Sequence, residues 1–390
     1  MKIGIDQLSF YTTNYFIDMA KLAKARNEDP NKYLIGIGQR KMAVIPPTQD
    51  SVTLAANAAA KLLTPEIRQQ IDTIIFATES GIDQSKSGAV YLQRLLKLPK
   101  SVRAFEVKQA CYSATAALQF ARGFVALHPD KKVLVTASDI ARYGLHTPGE
   151  PTQGGGAAAF IVSANPRILA LEDTSTVMTE DVMDFWRPNY ATEAMVDGHY
   201  SGNVYVDFFQ DVFNRFKTQT GMTIANFQAF AFHLPYTKMG LKALRTILPE
   251  ASEAQQEQLK ANFEDSRGYN QDVGNLYTGS LYLSLLSLLE NTTTLHSGDR
   301  IGLFSYGSGA VSEFFTGILQ GNFKDALLKE SERQALNKRQ EVDLATYERL
   351  FNTQLPTNGS SVELDTAYEQ ATYYLAGIAN HQRQYRVTTK

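Results

Sequence analysis

Short apolar, strand-prone runs alternate along the chain with longer stretches patterned as helices. Met1 to Phe10 reads as a strand, and so does Ile71-Asp-Thr-Ile-Ile-Phe-Ala-Thr78. Apolar runs of this length suit strands buried in a sheet. Gly88 to Leu98 follows as a helix, Ala104 to Val107 as a short strand, and a helix opened by Cys111 runs to about Leu127. Lys131 to Ser138 and Gly156 to Ser163 are further strands, the second entered through Gly154 and Gly155. A similar order then recurs. Phe227 to Phe232 is a strand ending at His233, Asn275 opens an apolar helix to Leu289, Asp299 to Ser305 is a strand, and Gly307 to Thr316 a turn and strand. This alternation predicts an α/β fold. From about Lys324 the chain turns polar, which reads as a charged helical surface followed by a peripheral tail.

The two series can be laid over one another, with the halves at 1–165 and 166–390. Glu79 then matches His233, the helix at Cys111 matches the helix at Asn275, and the Lys131 strand matches the Arg300 strand. Residue identity between the halves is low, so the pattern is weak support for a duplication. Its geometric content is stronger. Four polar groups fall at equivalent strand ends and helix starts, where α/β folds place ligands. If the halves pack with pseudo-twofold symmetry, the four converge.

Composition narrows the classes. The 390 residues are 44% hydrophobic and 20% charged, as in an ordinary globular protein with a large core. A net charge of −2 argues against nucleic acid or an anionic membrane as partner. A single cysteine excludes a disulfide framework and a cysteine-rich metal site, and fits a reducing cytosol. The six histidines show no metal spacing, so no metal is expected. The opening strand lacks the features of a signal peptide. The most apolar stretch, Leu276 to Leu289, is interrupted by small polar residues and reads as a buried helix rather than a membrane span.

Chemistry centres on Cys111. At a helix start it would feel the positive end of the helix dipole, which favours the thiolate; the bland alternative is a small buried hydrophobe. Glu79 ends a buried strand, where partial desolvation raises a carboxyl pKa and suits a general base, although most glutamates are simply solvated. His233 could be a core histidine with satisfied hydrogen bonds. Asn275 could be only an N-cap. Gly307 and Gly309 could admit backbone N–H groups to a ligand or form a tight turn, and the local sequence is no phosphate-binding loop. Cys, His and Asn together fit thioester chemistry, and the added carboxylate suits removal of a proton from carbon beside a carbonyl.

Ten motifs in order then carry a resemblance: Ile35-Gly-Ile-Gly-Gln39 with Lys41-Met42, Thr78-Glu-Ser80, Glu106-Val-Lys-Gln-Ala-Cys-Tyr112, Ser138-Asp-Ile-Ala141 with Tyr143-Gly144, Gly149-Glu-Pro-Thr-Gln-Gly154, Asp184-Phe-Trp-Arg-Pro188, Met195-Val-Asp-Gly198, His233-Leu-Pro-Tyr-Thr-Lys-Met239, Gly274-Asn-Leu-Tyr-Thr-Gly-Ser280 and Phe304-Ser-Tyr-Gly-Ser-Gly-Ala310. The chain resembles the bacterial hydroxymethylglutaryl-CoA synthases of the thiolase superfamily. The resemblance implies a thiolase-like αβαβα fold of two related halves, a cytoplasmic homodimer, and no metal or prosthetic group. It implies condensation of acetyl-CoA with acetoacetyl-CoA and water to 3-hydroxy-3-methylglutaryl-CoA and CoA, in the mevalonate route to isoprenoids. By matched position, Cys111 would carry the acetyl group, Glu79 deprotonate its methyl, and His233 orient acetoacetyl-CoA. Asn275 and Ser308 would lie near substrate oxygens. Thr152 and Ser201 would contact the acyl or pantetheine part, Lys238 and Lys242 the CoA phosphates, and Asp29 the nucleotide end; Tyr143, Asp184 and Phe185 would line the pocket. Three other readings stay open: a condensing enzyme like ketoacyl-ACP synthase III, which has no need of the Glu79 base, an inactive scaffold of the same fold, and a cysteine hydrolase, although the surroundings of Cys111 match no protease signature.

Overall fold

The computed structural model describes residues 1–388, so the last two residues of the second half, Thr389 and Lys390, fall outside it. Nine strands build one sheet: β1 (Ile3–Tyr11), β2 (Ile71–Ala77), β3 (Arg103–Val107), β4 (Lys132–Ala141), β5 (Gly154–Ala164), β6 (Leu169–Thr179), β7 (Ala229–Phe232), β8 (Arg300–Gly307) and β9 (Val311–Leu319). They lie in the order β7-β8-β9-β6-β1-β5-β4-β2-β3. Two arms of like topology meet in the middle. In one, β5 runs antiparallel to β1 and β4, and β2 is parallel to β4. In the other, β9 runs antiparallel to β6 and β8, and β7 is parallel to β8. The seam is short: Gly4 opposes Ala170 and Ile5 opposes Leu169. Glycine is needed there, because a Cβ on Gly4 would sit 2.0 Å from the Leu169 carbonyl oxygen.

The helices that cover the sheet are α1 (Ser51–Ala60), α2 (Gly88–Leu95), α3 (Ser113–Leu127), α4 (Gly198–Thr220), α5 (Met239–Ile247), α6 (Glu253–Val273) and α7 (Ser280–Asn291). Strand side chains alternate between faces, and both faces are apolar, as in sheets buried on two sides. Ile75 and Ala77 of β2 join a central core with α3 and α7, while Ile74 and Phe76 pack outward on α1 and α2. Ala229 and Ala231 of β7 face that central core too, while Phe230 and Phe232 pack outward on α4 and α5. Helices α3 and α7 thus share a core with both arms of the sheet, while α1 and α2 cover the outside of one arm and α4 and α5 the outside of the other, giving five layers of the expected α/β class in which each arm is one sheet layer. Every residue of α7 through Glu290 is buried. Among the described residues, no helix is long and apolar enough to cross a membrane.

Several local expectations need correction. The helix after Cys111 begins only at Ser113, capped by Tyr112, because Ala110 adopts a left-handed φ of 42° and turns the chain first. Asn275 likewise does not open its helix. Its Oδ1 accepts from Tyr277 N–H at 2.8 Å and Ser280 Oγ at 2.9 Å, which favours a single 3-10 turn (Tyr277–Gly279) before α7. Gly154 and Gly155 belong to β5 rather than leading into it. The C-terminal segment is not a loose tail. Strands Val362–Glu363, Tyr373–Ala379 and Gln382–Val387 form a small sheet that buries Leu375 and Tyr385 against α1. The Tyr385 hydroxyl donates at 2.7 Å to Asp50, the N-cap of α1.

Candidate active site

The nucleophile turn is held by its own backbone. Tyr112 N–H donates to Gln109 O at 3.1 Å, and the Ser113 hydroxyl bridges Gln109 N–H and Ala110 O at 2.6 and 2.7 Å. A positive φ at a non-glycine residue is a strained conformation that its surroundings must enforce. Gly307 supplies part of that enforcement: a Cβ there would lie 2.5 Å from Tyr112 N, so the turn and the β8–β9 hairpin touch backbone to backbone. Cys111 is 9% exposed. Its thiol donates to Glu79 Oε1 at 3.1 Å.

This environment reverses the expected effect of the helix dipole. Burial pushes the Cys111 thiol well above its usual range, and the negative charge of Glu79 pushes it further. The resting nucleophile is a neutral thiol. Glu79 is raised to about 8, by burial first and by Asp139 second, with the Cys111 hydrogen bond and Arg187 acting against them. Thiol and carboxyl are thus two weak acids facing one another.

Asp139 fixes where Glu79 sits, and the residue-by-residue reading assigned it no role. It is fully buried at the C-terminal end of β4. Its Oδ1 accepts from Thr78 Oγ1, Glu79 N–H and Ser80 N–H at 2.9, 2.8 and 2.9 Å. Its Oδ2 accepts from Thr278 N–H at 3.0 Å and Thr278 Oγ1 at 2.6 Å. One carboxylate therefore pins the Glu79 loop to the loop after Asn275, across the two arms. The available signal was an aspartate inside an otherwise apolar strand. Arg187, also missed, donates to the Glu79 carbonyl.

His233 follows β7 as Glu79 follows β2, at corresponding places in the two arms. Its backbone N–H donates to Phe304 O at 2.8 Å, and its carbonyl accepts the Tyr205 hydroxyl at 2.7 Å. The side chain is 2% exposed, with Nδ1 unpartnered. Burial drives its pKa down to about 3, so the ring is neutral. Asn275 is equally poised. Its carbonyl oxygen already has two donors, which leaves Nδ2 buried and without an acceptor. Buried polar atoms are rarely left unpaired without a reason, and the free amide N–H₂ of Asn275 suits a carbonyl ligand.

Phe185 packs in one cluster with Cys111 and Tyr277, and Tyr143 packs against that cluster. The three rings meet edge to face, at 5.9, 6.1 and 5.7 Å between centroids. Asp184 is buried and spoken for: its oxygens accept from Tyr306 OH at 2.7 Å, Ser201 Oγ at 3.2 Å and Gly309 N–H at 2.8 Å. It holds the loop of Ser308 rather than facing open space. Ser308 itself is half-buried beside the nucleophile turn, and its carbonyl accepts from Gln109 Nε2 at 3.3 Å. A cleft of about 1330 Å³ opens onto Glu79, Ala110, Phe185, Arg187 and Ser308.

Thr152, Lys238, Lys242 and Asp29 do not line that cleft, and neither do Cys111, His233 or Asn275. Thr152 donates to Gly149 O at 2.8 Å. Lys238 caps α5, and its backbone N–H donates to Ile37 O at 3.2 Å, tying the α5 start to the segment that follows Asp29. Lys242 is exposed one turn on, donating to Tyr236 OH at 2.8 Å; Asp29 is exposed and accepts from Asn31 N–H.

Comparison with known proteins gives the family. Models of the hydroxymethylglutaryl-coenzyme A synthase N-terminal and C-terminal regions match residues 1–167, and 169–267 with 245–388. A hydroxymethylglutaryl-CoA synthase of Enterococcus faecalis is 52% identical over 99% of this chain and 100% of its own length. A polyketide biosynthesis 3-hydroxy-3-methylglutaryl-ACP synthase of Bacillus subtilis is 30% identical over 98% of both. Among solved structures, an HMG-CoA synthase complexed with CoA superposes with a TM-score of 0.97 at 45% identity, covering both chains completely.

Proposed function

The chain belongs to the hydroxymethylglutaryl-CoA synthase family, and from that premise we propose how its residues divide the work. The reaction condenses acetyl-CoA with acetoacetyl-CoA and water, giving 3-hydroxy-3-methylglutaryl-CoA and free CoA, in the mevalonate route. The observation that carries the residue assignment is the Cys111–Glu79 contact of 3.1 Å beside the cleft. Sulfur of Cys111 attacks the acetyl carbonyl carbon, an S–C bond forms, and CoA leaves as a thiolate that takes a proton. Glu79 then removes a proton from the acetyl methyl group. The freed electron pair forms the carbon–carbon bond to the ketone carbon of acetoacetyl-CoA, whose oxygen gains a proton. Water finally cleaves the thioester, returning the thiol and leaving a carboxylate.

A thioester α-proton is weakly acidic, so the base needs enolate stabilisation. Asn275 Nδ2 and the backbone N–H groups of Cys111 and the Ser308 loop supply donors for it. His233, neutral at pH 7, acts as a hydrogen-bond donor to the acetoacetyl carbonyl and not as an imidazolium acid. Tyr143 and Phe185 wall the acyl pocket, and Asp184 supports it. Thr152 and Ser201 contact the acyl or pantetheine part, Lys238 and Lys242 the phosphates, and Asp29 the nucleotide. The enzyme works in the cytoplasm as a homodimer of two-half chains (1–165 and 166–390), on CoA thioesters without a further cofactor. Incubation with acetyl-CoA followed by intact-mass analysis tests the core of this: an acetyl adduct should map to Cys111 and vanish in Cys111→Ala. A folded protein that acquires no adduct would sink it.

A further inference from the structure

Glu313 lies on β9, is 1% exposed, and turns its carboxylate toward the nucleophile's helix. Oε2 accepts from the Tyr112 hydroxyl at 2.7 Å and Oε1 from Gln119 Nε2 at 2.7 Å. Tyr112 follows Cys111 directly and caps α3; Gln119 lies farther along α3. Burial raises the Glu313 carboxyl, against hydrogen bonds from Tyr112, Ser175 and Gln119. The cation that helps it, Arg122, is itself paired with Asp173. A buried carboxylate answered mainly by neutral donors is unfavourable unless every donor is well placed.

The position of this group gives it a purpose. The hairpin that carries Glu313 also carries Gly307, Ser308 and Gly309, and Gly307 already touches the Gln109–Tyr112 turn backbone to backbone. The hairpin belongs to one arm of the fold and the cysteine turn to the other. We propose that Glu313 is a positioning residue for acyl transfer: acting through Tyr112 and Gln119, it sets the separation between the Cys111 thiol and the oxygen-binding loop at Ser308. It touches neither substrate nor reacting atoms. Tyr112 and Gln119 act with it as one unit.

This inference rests on Cys111 being the acylated residue, and its test separates the two. Single-turnover acetylation by acetyl-CoA is followed by intact mass in the parent, in Glu313→Gln and in Tyr112→Phe, with melting of each. Glu313→Gln keeps the shape but turns an amide N–H₂ toward groups that are already donors. Tyr112→Phe removes only a hydroxyl, and keeps the test open if the first variant does not fold. Each variant should acetylate about tenfold more slowly per folded molecule, since small displacements of reacting groups carry penalties of that order. Half-saturating acetyl-CoA should stay within about twofold, as expected when only a transition-state interaction is lost. The double variant should be no slower than the slower single one, because the residues act as a unit. A merely structural carboxylate would lower melting and leave acetylation of the folded fraction unchanged, and that result overturns the inference. A parent enzyme that fails to acetylate would instead overturn the reading of Cys111.

Discussion

Replacing Glu79 with glutamine should split the reaction in two. The substitution keeps the volume and removes both the base and the negative charge beside Cys111. For acetylation these losses oppose each other. Losing a general base slows a proton transfer by about 10²–10⁴-fold, or about 3–5 kcal/mol. Above about pH 8, where Glu79 is ionised, losing a like charge about 4 Å from a thiolate returns about 4 kcal/mol at an effective dielectric constant of 20. The two nearly cancel, so acetyl-Cys111 should form within about tenfold of the parent rate. For carbon–carbon bond formation nothing compensates, because among the described residues no other carboxylate hydrogen-bonds the thiol. Disappearance of acetoacetyl-CoA should fall by at least about 10³-fold. The assay is rapid-quench intact mass for the acetyl adduct, run beside turnover of acetoacetyl-CoA. In the parent, kcat/KM should rise as pH passes about 8, where Glu79 ionises, and that limb should vanish in the variant. Equal losses in both half-reactions would refute the reasoning, and so would a condensation rate within tenfold of the parent.

Three further outcomes are expected. His233 titrates near 3 when folded but near 6.5 when unfolded, so the unfolded chain binds the extra proton between those values. Its contribution is complete above about pH 6.5 and is lost as pH falls, by about 2 kcal/mol at pH 5; urea midpoints at pH 7.5 and 5 should show this, with a shallower dependence in His233→Asn. Asp139→Asn presents an amide donor to N–H and O–H groups that are already donors. It should lose about 1–3 kcal/mol in melting experiments, together with most condensation activity, and an unaltered melting curve would contradict the pinning role. Lys238→Ala and Lys242→Ala should each raise KM for acetyl-CoA about threefold to tenfold at constant kcat, and initial-rate kinetics would expose any fall in kcat.

Local signals were legible wherever the chemistry is local. The strand at Ile71 could be read from apolar runs, and the α7 segment from an apolar helical stretch closed by Glu290. The C-terminal sheet was missed because its strands are short and polar on one face, with Leu375 and Tyr385 buried only by contact with α1. The starts of α3 and α7 were misplaced by two and five residues, because Ala110 and Tyr277 adopt positive φ under constraints from neighbouring segments. Asp139 carried a faint signal, while the burial of Asp184 against Tyr306 and Gly309 carried none.

The sequence by itself determined the α/β class and the family, and it singled out Cys111, Glu79, His233 and Asn275 as the groups proposed to do the chemistry, since residue types and spacings along one strand or helix are properties of neighbours in the chain. Their protonation states were decided only in three dimensions. A helix start argued for a thiolate at Cys111, yet burial and the facing carboxylate keep it a thiol. The partners that set this geometry lie far along the chain: Asp139 is 60 residues from Glu79 and 139 from Thr278, and Glu313 is 201 from Tyr112. Desolvation and hydrogen bonding depend on what surrounds a group, and those surroundings exist only once the two arms have closed on one another.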